Sequence, residues 1–349
     1  MGTLRLFFAF SVLLGHIQLD CLISPIYAVQ GFYIISGFYM ALILNEKYHS
    51  DKQNTLFYKK RLFRLLPTYW LIASISMFIA ILYYIKGDSS ILFFDFYNFP
   101  TDSSLLTYLY IITTNTIVWG QDLSLFLGIS PISGNPFFSA TSFAEQYPML
   151  RYTAIPVAWS VSSELSFYLI APFILRNRKK TVFVLFIISI FSNIITNHYG
   201  LNDSNWRFRF FPSILMYFLA GYYAYLIYKR IEKTNIQISN NYIILIISPF
   251  LLTLFLRTNL PYVIHSGILL VTCTLTIPFL FYFFKSNKHE RTIGEISYPL
   301  YLVHPTLIGI NELAHIDNKL FIILGSVLAA YTCYIFFIKK IEIRRNSIK

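Results

Sequence analysis

Apolar runs long enough to cross a lipid bilayer recur along the whole of this 349-residue sequence. A transmembrane helix needs about 20 predominantly apolar residues to cross a hydrocarbon layer roughly 30 Å thick. The sequence is 56% hydrophobic and only 13% charged, which leaves no segment suited to a sizeable water-soluble domain. These runs predict an all-α integral membrane protein in which a single membrane domain covers residues 1–349.

The basic residues are distributed unevenly among the hydrophilic segments between these runs. Of the 28 Lys and Arg, 22 fall on one side of a membrane if the chain crosses it ten times. Because basic residues concentrate on the cytoplasmic side, this imbalance predicts about ten transmembrane helices with both termini cytoplasmic. Membrane orientation therefore explains the net charge of +12, and no nucleic-acid partner is expected. The predicted spans are 4–20, 26–45, 66–85, 156–175, 181–197, 210–228, 241–256, 263–284, 296–312 and 320–338.

The longest hydrophilic connection, residues 86–155, is predicted to form an outer loop. Within it, Leu105–Trp119 is apolar enough to suggest an eleventh span, but that span would invert every basic loop that follows. The segment is also short and rich in Thr and Asn, so we interpret it as re-entrant or interfacial. Residues 339–349 are expected to form a basic cytoplasmic tail.

Arg5 and His16 are the most informative ionisable residues in the first predicted span. An ionisable side chain inside a span costs about 2.5 to 3.5 kcal/mol, so it needs a function or a partner. The two residues lie about 16 Å apart on the same face of a helix. An anionic cofactor held by Arg5 could therefore extend an arm toward His16, which is suited to act as a general base. A hydrogen bond to a neighbouring helix is the alternative role for His16.

Asp20 follows His16 by one helical turn and could fix the tautomer of its imidazole. An exposed cap or loop position remains the alternative for Asp20. In the span 156–175, Ser160 and Glu164 are also one turn apart, so the serine could hold the carboxylate while Glu164 orients a base or binds a sugar hydroxyl. Hydrogen bonding between helices is the alternative for this pair.

Two further groups of polar residues lie near span ends. Arg61 and Arg64 share a helix face just before Pro67, where they could clamp a phosphate or serve as ordinary basic flanking residues. Tyr298 and His304 belong to a stripe completed by Tyr301, which could line a cavity, although such stripes are more often packing. His265, near another span end, is expected to be solvated or to cap a helix.

Other chemistry-bearing patterns are missing from the sequence. There is no phosphate-binding Gly-rich loop with a Lys, no Gly-x-Ser-x-Gly elbow and no Cys or His cluster with metal-ligand spacing. Cys21, Cys273 and Cys333 have no paired spacing and indicate neither a disulfide nor a metal site. ATP-driven transport, a hydrolase elbow and a metal centre are therefore disfavoured.

Five sequence elements together resemble the acyltransferase 3 family of membrane-bound acyltransferases, whose bacterial members mostly O-acetylate cell-surface polysaccharides. Each element is loose by itself, but all five occur in the order typical of the family. They are Arg5 and His16 separated by ten residues, the aromatic Ser-Gly-Phe element Phe32–Phe38, the basic element Arg61–Pro67, the Trp-Ser element with its Glu at Trp159–Tyr168, and the Ser-Tyr-x-x-Tyr-x-x-His signature within Gly294–His304.

The resemblance implies a donor, an acceptor and residue roles. The implied donor is acetyl-CoA taken from the cytoplasm. Arg5, Arg61 and Arg64 would contact this donor, His16 would be the catalytic base, and Glu164 would support the acceptor or the base. Ser36, Ser160 and Ser297 are the nucleophiles to test for an acyl-enzyme route.

The implied acceptor is a hydroxyl of a polysaccharide or a lipid-linked oligosaccharide, as in the O-antigen of lipopolysaccharide, capsule or exopolysaccharide. The implied location is the bacterial cytoplasmic (inner) membrane. A transporter or flippase would also suit ten spans with buried charges, and so would a polymerase of lipid-linked oligosaccharides. Neither alternative needs coenzyme A, so donor binding separates them from the acyltransferase.

Overall fold

The computed structural model describes residues 1–88, 94–199, 201, 204–234 and 261–347. Helices dominate these residues, and the predicted span 241–256 lies outside them. The helices are α1 (Gly2–His16), α2 (Pro25–Glu46), α3 (Asn54–Lys86), α4 (Leu105–Ile117), α5 (Trp159–Leu175), α6 (Lys179–His198), α7 (Ser204–Phe208), α8 (Phe211–Thr234), α9 (Tyr262–Phe284), α10 (Lys288–Leu313), α11 (Lys319–Cys333) and α12 (Lys339–Ser347).

Seven helical stretches within the described ranges are long and apolar enough to cross a membrane. Helix α6 has the surface of a lipid-facing helix, because it exposes large apolar side chains such as Phe183 and Phe191. The protein is therefore an all-α, multi-pass membrane protein. The seven stretches are Pro25–Glu46, Asp51–Lys86, Pro156–Leu175, Lys179–His198, Asn205–Thr234, Tyr262–Phe284 and Lys319–Ser347.

Several helices differ in extent from the predicted spans, among them α1 and α3. Helix α1 ends at His16 instead of reaching residue 20, and Gln18 adopts a positive φ of 54° just beyond that end. Helix α3 begins at Asn54, well before the predicted start at residue 66, and continues through Pro67. A proline in a helix interior removes one backbone hydrogen bond, but the flanking apolar turns continue the helix on both sides.

The chain packs as two compact units. The first comprises Met1–Phe57, Phe167–Ile195 and Phe211–Ser297, and the second comprises Tyr58–Ser166, Thr196–Phe210 and Tyr298–Lys349. Helices α3, α5, α6 and α10 each contribute residues to both units.

The first unit is organised around the close crossing of α2 and α8. A Cβ on Gly37 would overlap the carbonyl oxygen of Phe218, and a Cβ on Gly221 would overlap the backbone at Ile34. Small residues at such crossings let helix backbones approach closely, as in many membrane proteins. The Phe218 ring adds a contact with Tyr33, at a centroid distance of 4.5 Å.

In the second unit, α10 runs alongside α3 in the same direction. The Tyr298 hydroxyl donates to the Leu65 carbonyl at 3.1 Å, and the Tyr83 hydroxyl donates to the Gly309 carbonyl at 2.7 Å. Between these contacts, the hydroxyls of Ser76 and Thr306 lie 2.8 Å apart. Residue numbers increase together along both helices, which makes the pair parallel.

The described residues of the predicted outer loop form a folded segment of the second unit. It contains α4 and a two-stranded antiparallel hairpin, β1 (Leu127–Ile129) and β2 (Pro136–Phe138). Ser104 caps α4 by accepting a hydrogen bond from the Thr107 backbone N–H at 3.3 Å. A small apolar core under this segment consists of Ile111, Ile129, Met149 and Tyr152.

Candidate functional site

Helix α1 carries Arg5 near its start and His16 at its end. The Arg5 side chain is half-buried, whereas His16 is exposed. Because α1 is continuous between them, the two side chains share one helix face about 16 Å apart. A base and a cation at this separation suit a long anionic donor that lies along the helix.

The start of α1 is fixed against the start of α10. A Cβ on Gly2 would overlap the carbonyl oxygen of Glu290, and the Glu290 carboxylate accepts a hydrogen bond from the Thr3 backbone N–H at 3.2 Å. A Cβ on Gly294 would lie 3.9 Å from Arg5 Nη1. The glycine that opens the last family element therefore adjoins the Arg5 guanidinium.

Asp20 and Ser36, also in the first unit, have different surroundings. Asp20 is exposed beyond the end of α1, so the helical i+4 relation that placed it beneath His16 is absent. Ser36 is buried on α2, and its hydroxyl lies 3.5 Å from the Tyr168 hydroxyl. The adjoining Gly37 makes the α2–α8 crossing, so packing explains part of this family element.

His265 is buried, which corrects the solvated alternative expected from sequence. Its ring centroid lies 4.2 Å from that of Tyr27. It adjoins a polar network in which Gln30 donates to the Tyr262 hydroxyl at 2.8 Å. Periodicity could not reveal this burial, because it comes from the packing of α9 on α2.

Arg61 and Arg64 lie on one face of α3, and both are half-buried. The backbone carbonyl of Leu65, the residue after Arg64, accepts a hydrogen bond from the Tyr298 hydroxyl. Within the second unit, the basic element and the last family element are thus directly connected. A half-buried pair of guanidinium groups suits binding of phosphate groups.

Ser160 and Tyr301 form a buried hydroxyl pair in the second unit. Their side-chain oxygens lie 2.8 Å apart. Both hydroxyls also reach the Val157 carbonyl, at 3.1 Å from Ser160 and 3.0 Å from Tyr301. Glu164, one turn further along α5, is half-buried. Sequence reasoning placed Tyr301 in a stripe but missed this contact, because residues so far apart in sequence meet only in the fold.

Two other serines of α5, Ser162 and Ser166, hold the segment 119–122. Ser162 donates to Asp122 Oδ1 at 2.6 Å and accepts from the Gly120 backbone N–H at 2.9 Å. Ser166 accepts from the Trp119 indole N–H at 3.0 Å. Burial raises the pKa of Asp122, and the hydrogen bond from Ser162 opposes that rise. Ser162 and Ser166 therefore bind residues 119–122, whereas Ser160 pairs with Tyr301.

His304 is fully buried on α10, with its ring centroid 6.0 Å from that of Tyr301. Burial supports a role in the interior of the second unit and excludes a solvated loop position. Tyr298, Tyr301 and His304 thus follow one helix, with Tyr298 contacting α3 and Tyr301 contacting α5.

Arg209 lies in an aromatic surrounding that sequence reasoning did not identify. Its guanidinium carbon lies 5.0 Å from the ring centre of Trp159 and 5.7 Å from that of Phe143. Its Nη1 donates to Asn205 Oδ1 at 2.9 Å. The signal in the sequence was its place among the six Lys and Arg that the predicted topology leaves outside the basic loops.

The predicted site residues thus fall into two groups. The first unit holds Arg5, His16, Asp20 and Ser36, and the second holds Arg61, Arg64, Ser160, Glu164, Tyr298 and His304. These residues define the class: a multi-pass helical membrane protein with buried hydroxyls, an imidazole at a helix end and half-buried guanidinium groups.

Comparison with known proteins specifies that class. Residues 2–338 match the profile of the acyltransferase 3 family, described as "Acyltransferase domain". The chain therefore belongs to this family and is a membrane acyltransferase. An uncharacterized protein of Aquifex aeolicus (strain VF5) is 25% identical over 187 residues, which cover 52% of this chain and 84% of that relative. No solved structure matches the chain.

Proposed function

We propose that this protein transfers the acetyl group of acetyl-CoA to a hydroxyl of a cell-surface polysaccharide in the bacterial inner membrane. The acceptor would be O-antigen, capsule, exopolysaccharide or a lipid-linked precursor of one of them. The observation that carries the proposal is the placement of Arg5 and His16 on one face of the continuous helix α1.

The proposed topology has about ten spans and both termini on the cytoplasmic side. The parallel orientation of α3 and α10 supports it, because these helices correspond to the third and ninth predicted spans, which cross in the same direction. Arg5 would then lie near the cytoplasmic face and His16 deeper in the membrane. This polarity suits a donor that enters from the cytoplasm and an acceptor that approaches from the other side.

Donor binding would use the three predicted arginines. Arg61 and Arg64 are half-buried on one face of α3, and Arg5 adjoins Gly294. Guanidinium groups pair with phosphate oxygens through two parallel hydrogen bonds, which suits the phosphates of coenzyme A. The thioester arm would extend from these phosphates toward His16.

His16 would act as the general base. Its imidazole removes the proton of the sugar hydroxyl as the hydroxyl oxygen attacks the thioester carbonyl carbon. The resulting tetrahedral oxyanion collapses, the C–S bond breaks, and the departing thiolate takes the proton from the imidazolium. Glu164 would orient the acceptor or the base, and an exposed imidazole at the end of α1 is accessible for this chemistry.

Transfer of labelled acetyl from acetyl-CoA to surface polysaccharide, in membranes that contain the protein, tests the proposal. His16→Ala should abolish transfer at equal expression. His49→Ala is the matched control, because His49 is also an exposed histidine but lies in the loop after α2. Absence of transfer by the wild type to any glycan would favour a transporter or polymerase instead. Full activity of His16→Ala would leave the acyltransferase intact and remove His16 from the mechanism.

A further inference from the structure

The surroundings of Arg209 have the composition of a binding site for a charged saccharide. Three aromatic rings approach its guanidinium carbon, with centroid distances of 5.0 Å for Trp159, 5.5 Å for Phe208 and 5.7 Å for Phe143. The Arg209 side chain is half-buried. Aromatic faces attract both a guanidinium and the C–H faces of sugar rings, so the cluster presents an apolar wall beside a positive charge.

The guanidinium is held in one orientation by the segment that carries it. Arg209 Nη1 donates to Asn205 Oδ1 at 2.9 Å, and the buried Asn205 side chain in turn donates to the Leu125 carbonyl at 2.8 Å. The Trp206 indole N–H donates to the Ala140 carbonyl at 3.0 Å. These bonds attach α7 and the following turn to residues 125–140, so the fold fixes the position of the Arg209 guanidinium.

The helix that carries Trp159 also carries one member of a buried hydroxyl pair. Trp159, which stacks on Arg209, directly precedes Ser160, whose hydroxyl pairs with that of Tyr301 at 2.8 Å. All of these residues belong to the second unit. A ligand bound to Arg209 would therefore lie beside Trp159, the residue that precedes the serine of this hydroxyl pair.

We infer that Arg209 and the rings of Phe143, Trp159 and Phe208 bind an anionic group on the acceptor saccharide. The inference rests on the proposed function and specifies its acceptor as an anionic glycan. A carboxylate of the sugar or a phosphate of its lipid carrier supplies the same chemistry, because the planar guanidinium pairs with either group through two hydrogen bonds. The aromatic rings hold the sugar face beside it.

Arg207 provides a matched control. It lies two residues before Arg209, is also half-buried, and donates from Nη2 to Asn197 Oδ1 at 2.9 Å. Both arginines thus carry the same charge and donate a hydrogen bond to an asparagine. Arg209 differs in that three aromatic rings surround its guanidinium. Arg207→Gln and Arg209→Gln remove equal charge from one segment.

Binding is measured first, by calorimetry on the full chain in lipid nanodiscs. The probes are an oligogalacturonide, the same oligosaccharide with its carboxylates reduced to alcohols, and a neutral saccharide linked to a lipid diphosphate. The wild type should bind an anionic probe at least about tenfold more tightly than the reduced one. Arg209→Gln should abolish that preference and Arg209→Lys should weaken it, whereas Arg207→Gln should keep it.

The choice between anions and the kinetic readout complete the test. Preference for the oligogalacturonide indicates a sugar carboxylate, and preference for the diphosphate probe indicates the lipid carrier. In acetyl transfer, Arg209→Gln should raise the KM for the anionic acceptor by about tenfold or more and leave the KM for acetyl-CoA unchanged. A merely structural role would impair charged and neutral acceptors equally and would overturn the inference.

The two proposals fail in different ways. Binding of an anionic probe that depends on Arg209, without acetyl transfer to any acceptor, would support the site and contradict the acetyltransferase. Acetyl transfer with no preference for anionic probes, unchanged in Arg209→Gln, would support the acetyltransferase and overturn the site.

Discussion

The side-chain oxygens of Ser160 and Tyr301 lie 2.8 Å apart, and each hydroxyl also reaches the carbonyl oxygen of Val157. Three oxygen atoms thus share two hydroxyl protons in a buried place between α5 and α10. A hydroxyl pair of this kind can rotate one proton toward a developing negative charge, which is why its contribution to stability should be separated from its contribution to activity.

Tyr301→Phe should lower the free energy of unfolding by about 1 kcal/mol, because it removes one buried hydroxyl while keeping the ring. Thermal unfolding of Tyr301→Phe, Ser160→Ala and the double variant in one detergent measures the coupling. We expect a coupling of at least about 0.5 kcal/mol, as is typical of contacting residues in one hydrogen-bond network. Additive effects would mean that the two hydroxyls do not interact.

Gly37→Ala should strongly destabilise the first unit. The added Cβ would overlap the Phe218 carbonyl, and backbone cannot move aside as a flexible side chain can. We expect a loss of about 2 kcal/mol or more and a lower melting temperature. Gly267→Ala on α9 is the matched control, since its Cβ would meet no atom within 4 Å. That control should be neutral or stabilising by up to about 1 kcal/mol. Equal effects at the two positions would contradict the close crossing of α2 and α8.

Asp122 should give the protein a distinctive pH dependence. Burial raises its pKa above the ordinary value of 3.8, despite the hydrogen bond from Ser162. The folded state then binds a proton at a higher pH than the unfolded state. Its contribution to stability therefore increases as pH falls through the raised pKa and is complete near 3.8.

Melting temperatures of the wild type and Asp122→Asn between neutral pH and about pH 4 measure this effect. The wild type should gain stability relative to Asp122→Asn as the pH falls. Loss of relative stability on acidification would mean that hydrogen bonds outweigh burial and lower the pKa of Asp122. Ser162→Ala, which removes an opposing hydrogen bond, should raise this pKa further and move the gain to higher pH.

Arg5→Gln should raise the KM for acetyl-CoA by about tenfold or more, because a charge-assisted pair with phosphate is lost. The rate at saturating donor should change much less if Arg5 acts only in binding. Arg178→Gln, which removes an exposed cation from the connection between α5 and α6, should leave this KM unchanged. A lower rate at saturation with an unchanged KM would assign Arg5 to the chemical step instead.

Local sequence was a good guide wherever a property depends on neighbouring residues along one helix. The apolar runs predicted helices over most of the described spans, and the spacing of Arg5 and His16 placed both on α1. The end of α1 at His16 was not predicted from the sequence, because no glycine marks the left-handed backbone at Gln18. The start of α3 at Asn54 was also not predicted, because the polar residues of its first turns resemble a loop.

The sequence by itself determined that this chain is a helical membrane acyltransferase, because length, hydropathy and short motifs are local properties of the chain. Only the tertiary structure decided which side chains meet. It paired Ser160 with Tyr301, buried His265 against Tyr27, attached Ser162 to Asp122 and surrounded Arg209 with aromatic rings. Each of these contacts joins residues of separate elements, and their distance in space is set by helix packing, which one-dimensional periodicity does not encode.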